Sequence, residues 1–215
     1  MEDEIKKFIA SVLFPPNAVC CSCGREAVIL NDGLCVDCHS GLEIFNAAPA
    51  PPFTDGFTSV YVYNEISGRM VRRLKYNGAK YIAKWLARAI ELPKEWKPDV
   101  IVPVPLYYRK LWKRGFNQSE LIAESLCERL RLPLEPDYLV KIRDTDAQAE
   151  LSEAGRRTNL RFAFAADPAV KDKRILLIDD VCTTGATIAE CAEELKRRGA
   201  SKVWAATVCA VRPKD

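Results

Sequence analysis

Histidine is almost missing from this chain: His39 is the only one in 215 residues. It stands next to a cysteine, so no imidazole is left for Ser–His or Cys–His nucleophilic chemistry elsewhere. Long apolar runs are missing as well. Nothing approaches the roughly 20 consecutive apolar residues that a bilayer span needs, so no membrane insertion is expected. Residues 1–14, MEDEIKKFIASVLF, begin acidic and mix apolar with charged positions at helical spacing. A secretory leader needs a basic start and an unbroken apolar core, so a short amphipathic helix and a cytoplasmic location are expected. No glycine is followed by lysine and no G-x-G-x-x-G occurs. Those gaps remove the Walker-type phosphate loop and the dinucleotide fingerprint. Neither sign of charge dominates: the formal net charge is +3. A dedicated nucleic-acid-binding domain is usually far more basic, so any such role must come from local clusters of Lys and Arg.

What the chain does have is cysteine. There are nine, five of them between Cys20 and Cys38. One dense cluster with the rest scattered suggests a reducing compartment and a metal site, not a disulfide framework. Cys20 and Cys23 form one C-x2-C knuckle, Cys35 and Cys38 another. Two such pairs complete a tetrahedral four-thiolate Zn²⁺ site. Cys21 reads as a bystander, and His39 as a possible substitute ligand. A module this small builds no adequate core without such a staple. A closed four-cysteine site has no open position for catalysis, so its role is structural or in partner recognition.

The module is taken to span residues 1–46. It is followed by a proline-rich linker over 47–55 containing AAPAPP, and by a larger domain over 56–215. Proline fixes φ and biases its predecessor toward extended backbone, which makes a stiff spacer. Beyond it strands and helices alternate. FTSVYVY, DVIVPVP, RILLID and KVWAATVCAV read as strands. ISGRMVRRLKY, KYIAKWLARAI, NQSELIAESLCERL and ATIAECAEELKRRG read as helices, the third with Asn117 as cap and Glu120 reaching back, the last stopped by Gly199. This alternation predicts an α/β domain with a mainly parallel sheet flanked by helices.

The most informative stretch is RILLIDDVCTTGAT, residues 174–187. An apolar run of this kind suits a strand buried on both faces. It ends in two like charges, Asp179 and Asp180, and then a turn of Thr183, Thr184, Gly185, Ala186 and Thr187 opens a helix. Open α/β sheets bind ligands at the C-terminal ends of their strands. The hydroxyls and N–H groups of the turn suit a phosphate, helped by the helix dipole. The carboxylates suit the hydroxyls of a ribose. A receiver domain carries its acidic residues near its start, whereas Asp180 stands close to residue 215.

This stretch resembles the signature of type I phosphoribosyltransferases, which bind 5-phosphoribosyl 1-diphosphate (PRPP). The resemblance implies that Asp179 and Asp180 contact the ribose hydroxyls and serve as catalytic residues, while residues 183–187 hold the 5-phosphate. LKYNG (74–78), PVPLYYRKLWKRGFNQ (103–118) and QAELSEAGRRTNLRFAF (148–164), together with the cysteine ribbon, resemble the ComF/GntX competence-protein family over nearly the full length. That resemblance implies a pyrophosphate loop at Val104, Pro105 and Leu106, with Arg109, Lys113 and Arg114 neutralising the diphosphate beside Mg²⁺. Arg72, Arg73, Lys75 and Lys110 are candidates to add to the same field. It implies a mobile loop containing Gln148, Arg156 and Arg157 that closes over PRPP. It also implies a part in DNA uptake during natural transformation, with single-stranded DNA or a competence helicase as partner. Two functions remain open: a transferase acting on PRPP, and a non-catalytic accessory regulated by PRPP. Trp112 and Phe116 interleave with the cations. Closing a hydrophobic core under an amphipathic helix is the expected role, and stacking on bases is the other.

Overall fold

A computed structural model describes residues 19–46, 49–145 and 162–212. The expected N-terminal helix lies outside the described residues, as do Gln148, Arg156 and Arg157. In chain order the elements are α1 (Val36–Ser40), β1 (Gly56–Val62), α2 (Glu65–Tyr76), α3 (Ile82–Ala89), β2 (Val100–Pro103), α4 (Tyr108–Arg114), α5 (Gln118–Leu130), β3 (Leu139–Lys141), β4 (Phe164–Ala166), β5 (Arg174–Cys182), α6 (Ala186–Arg197) and β6 (Lys202–Ala210).

Strands β1, β6, β5 and β2 form one sheet in that order, and every pairing in it is parallel. The alternation of side chains along β5 explains its unbroken apolar run. Leu176 and Ile178 enter one apolar cluster with Met70, Leu74, Leu86 and Leu126. Ile175 and Leu177 enter a second with Ile188, Cys191 and Leu195. With helices on both sides, every position of the strand must be apolar until its C-terminal end reaches the cleft. β3 and β4 pair antiparallel in a separate small sheet. Three residues each carry too little periodicity to be read from sequence.

Two helix ends differ in how well the sequence foretold them. At α6, Gly199 takes φ +97°, and its N–H meets Lys196 O while Ala200 N–H meets Leu195 O, closing the helix as its glycine predicts. At α5, Asn117 caps as expected, accepting from Ser119 N at 3.1 Å. The reciprocal capping box forms instead at α2, between Asn64 and Ser67. Glu120 is half-buried near Glu124 and Asp137, which raise its pKa after burial itself.

The cysteine module also packs on the helices of the larger domain. Cys20, Cys21, Leu34, Cys35 and Cys38 share the apolar cluster of α2 and α3. Residues 43–45 then run antiparallel to β1, through Phe45 N–H to Val60 O and Val62 N–H to Glu43 O. Farther along, Pro51 is buried against Gly185, and Asp55 forms ion pairs with Lys196 and Lys202. No helix among the described residues is long and apolar enough to cross a membrane.

Candidate functional site

β5 delivers Asp179 and Asp180 to its C-terminal end, and both are buried, at 9% and 3% exposure. An isolated buried charge is costly, so each must have a partner. Asp179 accepts from Ser119 Oγ at 2.8 Å and from Asp180 N at 2.9 Å. Burial, and then the neighbouring Asp180, push the Asp179 carboxyl up to about 7. Asp180 Oδ2 lies 2.5 Å from Lys75 Nζ, an ion pair reaching across from α2. Burial works to lower the Lys75 pKa, but Asp180 and Asp179 more than offset it, and the ammonium is held above its ordinary value.

The turn that follows has Thr183 and Thr184 exposed and Gly185 buried at φ +76°. A side chain at Gly185 would be strained by that φ and would meet Pro51 at 3.2 Å. Thr184 Oγ1 accepts from Ala186 N at 3.4 Å, at the first turn of α6. Thr187 is half-buried one position further along. Beside the turn, Pro49–Pro52, Phe45, Phe57 and Arg212 line a cavity of about 540 Å³.

The segment after β2, residues 104–106, also sits at the strand ends. Val104 N–H donates to Ile178 O at 2.9 Å, and Asn117 Nδ2 donates to Val104 O at 3.0 Å. Val104 is buried, while Pro105 and Leu106 are half-buried. Arg109, Lys110, Lys113 and Arg114 line a cavity of about 660 Å³ together with Lys75, Gly78, Phe116 and Asp144. LKYNG and the KRGF stretch, about 40 residues apart in sequence, therefore meet at one cationic surface. Arg114 reaches over the Tyr76 ring and bonds to Gln118.

Two expectations fail here. Arg73 does not add to the cationic field; its guanidinium turns to Cys20 O and Tyr81 OH, on the cysteine module's side. Trp112 does not close the core: it is 88% exposed on α4. A seven-residue helix with no buried residue has no apolar face for it to join. Phe116, by contrast, packs on the core as expected and lies under Lys80 Nζ, 4.8 Å from the ring centre. The Lys75–Asp180 and Ser119–Asp179 pairs were not read from sequence. A lysine and a serine near apolar helix positions, at residues 75 and 119, were the available signal.

In the cysteine module the sulfurs of Cys20, Cys23, Cys35 and Cys38 all lie within 4.8 Å of one another, Cys23 and Cys35 at 3.9 Å. A metal ion bound at about 2.3 Å by four thiolates sets its sulfurs about 3.8 Å apart, so the set fits a tetrahedral ion. Cys35 N–H donates to Cys20 Sγ at 3.4 Å. Burial opposes ionisation of Cys23, but the Arg25 backbone and guanidinium hold its thiol down at about 6. Cys21 takes no part; burial pushes it up to about 12, against Gly33. His39 is engaged elsewhere, its Nδ1 2.6 Å from Asp32 Oδ2.

Against known families, residues 73–214 match the phosphoribosyl transferase domain. The chain is 34% identical to the DNA utilization protein YhgH of Salmonella typhi, with 89% of each chain covered. It is 32% identical to the YhgH protein of Escherichia coli K12, again over 89% of each. Competence protein F of Haemophilus influenzae is 29% identical, over 87% of this chain and 88% of the relative.

The Asp179 environment has a measurable consequence. A carboxyl raised in the folded state stabilises the fold when protonated, and that contribution is lost as pH rises toward the folded pKa of about 7. Asp179→Asn cannot ionise and still accepts from Ser119. Relative to wild type it should gain roughly 1 kcal/mol of stability between pH 6 and pH 8, read by chemical denaturation at both pH values. An unchanged difference between the two would show that the carboxyl is already ionised at pH 6.

Proposed function

The chain belongs to the phosphoribosyl transferase domain family, and from that premise we propose that it binds PRPP at the C-terminal ends of β5 and β2 in the service of DNA uptake and use. The observation that carries this reading is the join of three surfaces. Buried carboxylates end β5, a threonine turn opens α6, and a cationic cavity of about 660 Å³ adjoins them through Lys75. The 5-phosphate takes the turn formed by Thr183, Thr184, Gly185, Ala186 and Thr187. The ribose hydroxyls donate to Asp179 and Asp180. The 1-diphosphate lies along Val104, Pro105 and Leu106 and is neutralised by Arg109, Lys113 and Arg114. Mg²⁺, bound with the ligand, supplies further neutralisation of the diphosphate oxygens.

In a transfer reaction the protein's part is positioning and electrostatics. The carboxylates fix the ribose and stabilise positive charge developing at its C1, and the cations stabilise departing pyrophosphate. A pyrophosphate-release assay with PRPP against a panel of bases and amines decides between turnover and binding alone. Binding itself should need the acidic pair. Asp179→Asn with Asp180→Asn should weaken PRPP by at least about tenfold, since a hydrogen bond to a charged group contributes roughly 1.5–3 kcal/mol. Unchanged affinity in the folded double variant would refute the assignment.

The four thiolates hold Zn²⁺ in a structural role, because the set is closed and three of the four are buried in the cluster with α2 and α3. Elemental analysis should give about one zinc per chain, and Cys35→Ser should release the metal and loosen the contacts of the module with α2. A purified, metal-free protein that keeps those contacts would overturn the role.

The relatives' names support a place in DNA handling, and one feature supports single-stranded DNA as the partner. Trp112 stands exposed between Arg109, Lys110, Lys113 and Arg114, with Tyr108 also exposed. Cations track the backbone and aromatics stack on bases. Binding of a labelled single strand should fall with salt at about −0.7 per phosphate neutralised, and Trp112→Ala should weaken it by about 1–3 kcal/mol. A salt-insensitive complex, or a Trp112→Ala variant that binds like wild type, would shift the DNA role to a partner such as the helicase.

A further inference from the structure

Lys75 occupies an unusual place. Its ammonium lies 2.5 Å from Asp180 Oδ2, with the lysine side chain only 21% exposed. The same residue lines the cavity of about 660 Å³ that holds Arg109, Lys113 and Arg114. None of the nine lining residues of that cavity belongs to the 179–187 stretch, so among them Lys75 alone is ion-paired to the acidic pair. Cations dominate the lining, with Asp144 as its carboxylate. The position is firmly built. Leu74 beside it is fully buried in the core, and Asn77 and Gly78, the latter at φ +67°, end the helix immediately after. An ammonium carries three N–H donors, more than a single carboxylate oxygen can accept.

We propose that Lys75 is a positioning and specificity residue that links the ribose-binding carboxylate Asp180 to the diphosphate cavity, so that the site prefers a ribose 5-phosphate carrying a 1-diphosphate over ribose 5-phosphate alone. This rests on the PRPP reading given above and adds the residue that sets the discrimination. One ammonium serves both groups: it pairs with Asp180 at 2.5 Å and lines the cavity that takes the diphosphate. The pairing keeps Lys75 charged despite its burial, and the presence of Asp179 next door strengthens that effect. The bridge also fixes the distance between ribose and diphosphate recognition, which exposed Arg109 and Lys113, on flexible stems, do not.

The test is a comparison of three ligands, PRPP, inorganic pyrophosphate and ribose 5-phosphate, each titrated with Mg²⁺ into the full-length protein and into Lys75→Gln. PRPP and pyrophosphate affinity should fall at least about tenfold, while ribose 5-phosphate changes less than about threefold. Lys75→Arg, which keeps the charge, should recover most of the loss. An equal fall for PRPP and ribose 5-phosphate would mean that Lys75 only orders Asp180, and would overturn the proposal. Should Lys75→Gln fail to fold, the same titrations with Lys75→Met decide: PRPP and pyrophosphate must weaken and ribose 5-phosphate must not; the reverse overturns the inference. A wild-type protein that binds none of the three ligands removes the PRPP reading itself, whereas one that binds PRPP with discrimination unchanged in Lys75→Gln removes only the role of Lys75.

Discussion

Two adjacent carboxylates at the end of a strand that is covered on both faces must be partnered or neutralised, because the interior repays an unpaired charge poorly. In this protein the solution is divided. Asp180 takes a cation from α2, and Asp179 takes a hydroxyl from α5 and shifts toward its protonated form. Those two contacts tie the helices of one face to the strand end. They leave the threonine turn and the segment around Val104 to define the open side of the cleft. The Asn117 side chain completes the link, holding Val104 O with one end and the first turn of α5 with the other. The carboxylates, the segment after β2 and the α5 N-terminus thus form one bonded unit.

Helix α2 is the shared support. Its Arg69 reaches Ser22 and the Cys38 sulfur, its Arg73 bonds Cys20 O, and its Lys75 pairs with Asp180. Between these polar contacts Met70, Val71 and Leu74 are buried in the core. One helix therefore docks the cysteine module at one surface and arms the cleft at another. A four-thiolate site in so short a module cannot bury much surface by itself, and packing on α2 and α3 supplies the rest.

The exposed face of α4 is built on different terms. Its seven residues carry four Arg or Lys side chains beyond its tyrosine start and bury nothing, so the helix presents charge and Trp112 to solvent. The charge of the whole chain is small, at +3. Electrostatic attraction at this surface is therefore local and steeply screened by salt.

The sequence by itself determined the main elements and the residues of two motifs. Residues 175–178 read as a doubly buried strand, because an uninterrupted apolar run leaves no polar face for water. Cys20, Cys23, Cys35 and Cys38 could be paired as ligands from spacing alone, since knuckle geometry is local. The threonine turn with Gly185 was equally legible, for a positive φ and a helix start are properties of neighbouring residues. What only the tertiary structure decided is which distant groups meet. Lys75 and Asp180 lie more than a hundred positions apart, and Ser119 and Asp179 are sixty apart. No periodicity encodes such pairs, because they exist only once the parallel sheet brings α2, α5 and β5 to one end. The same holds for Arg73 and Trp112. A basic run shows that charge is present, but whether each side chain faces the cleft, the cysteine module or water depends on how its short helix sits on the sheet.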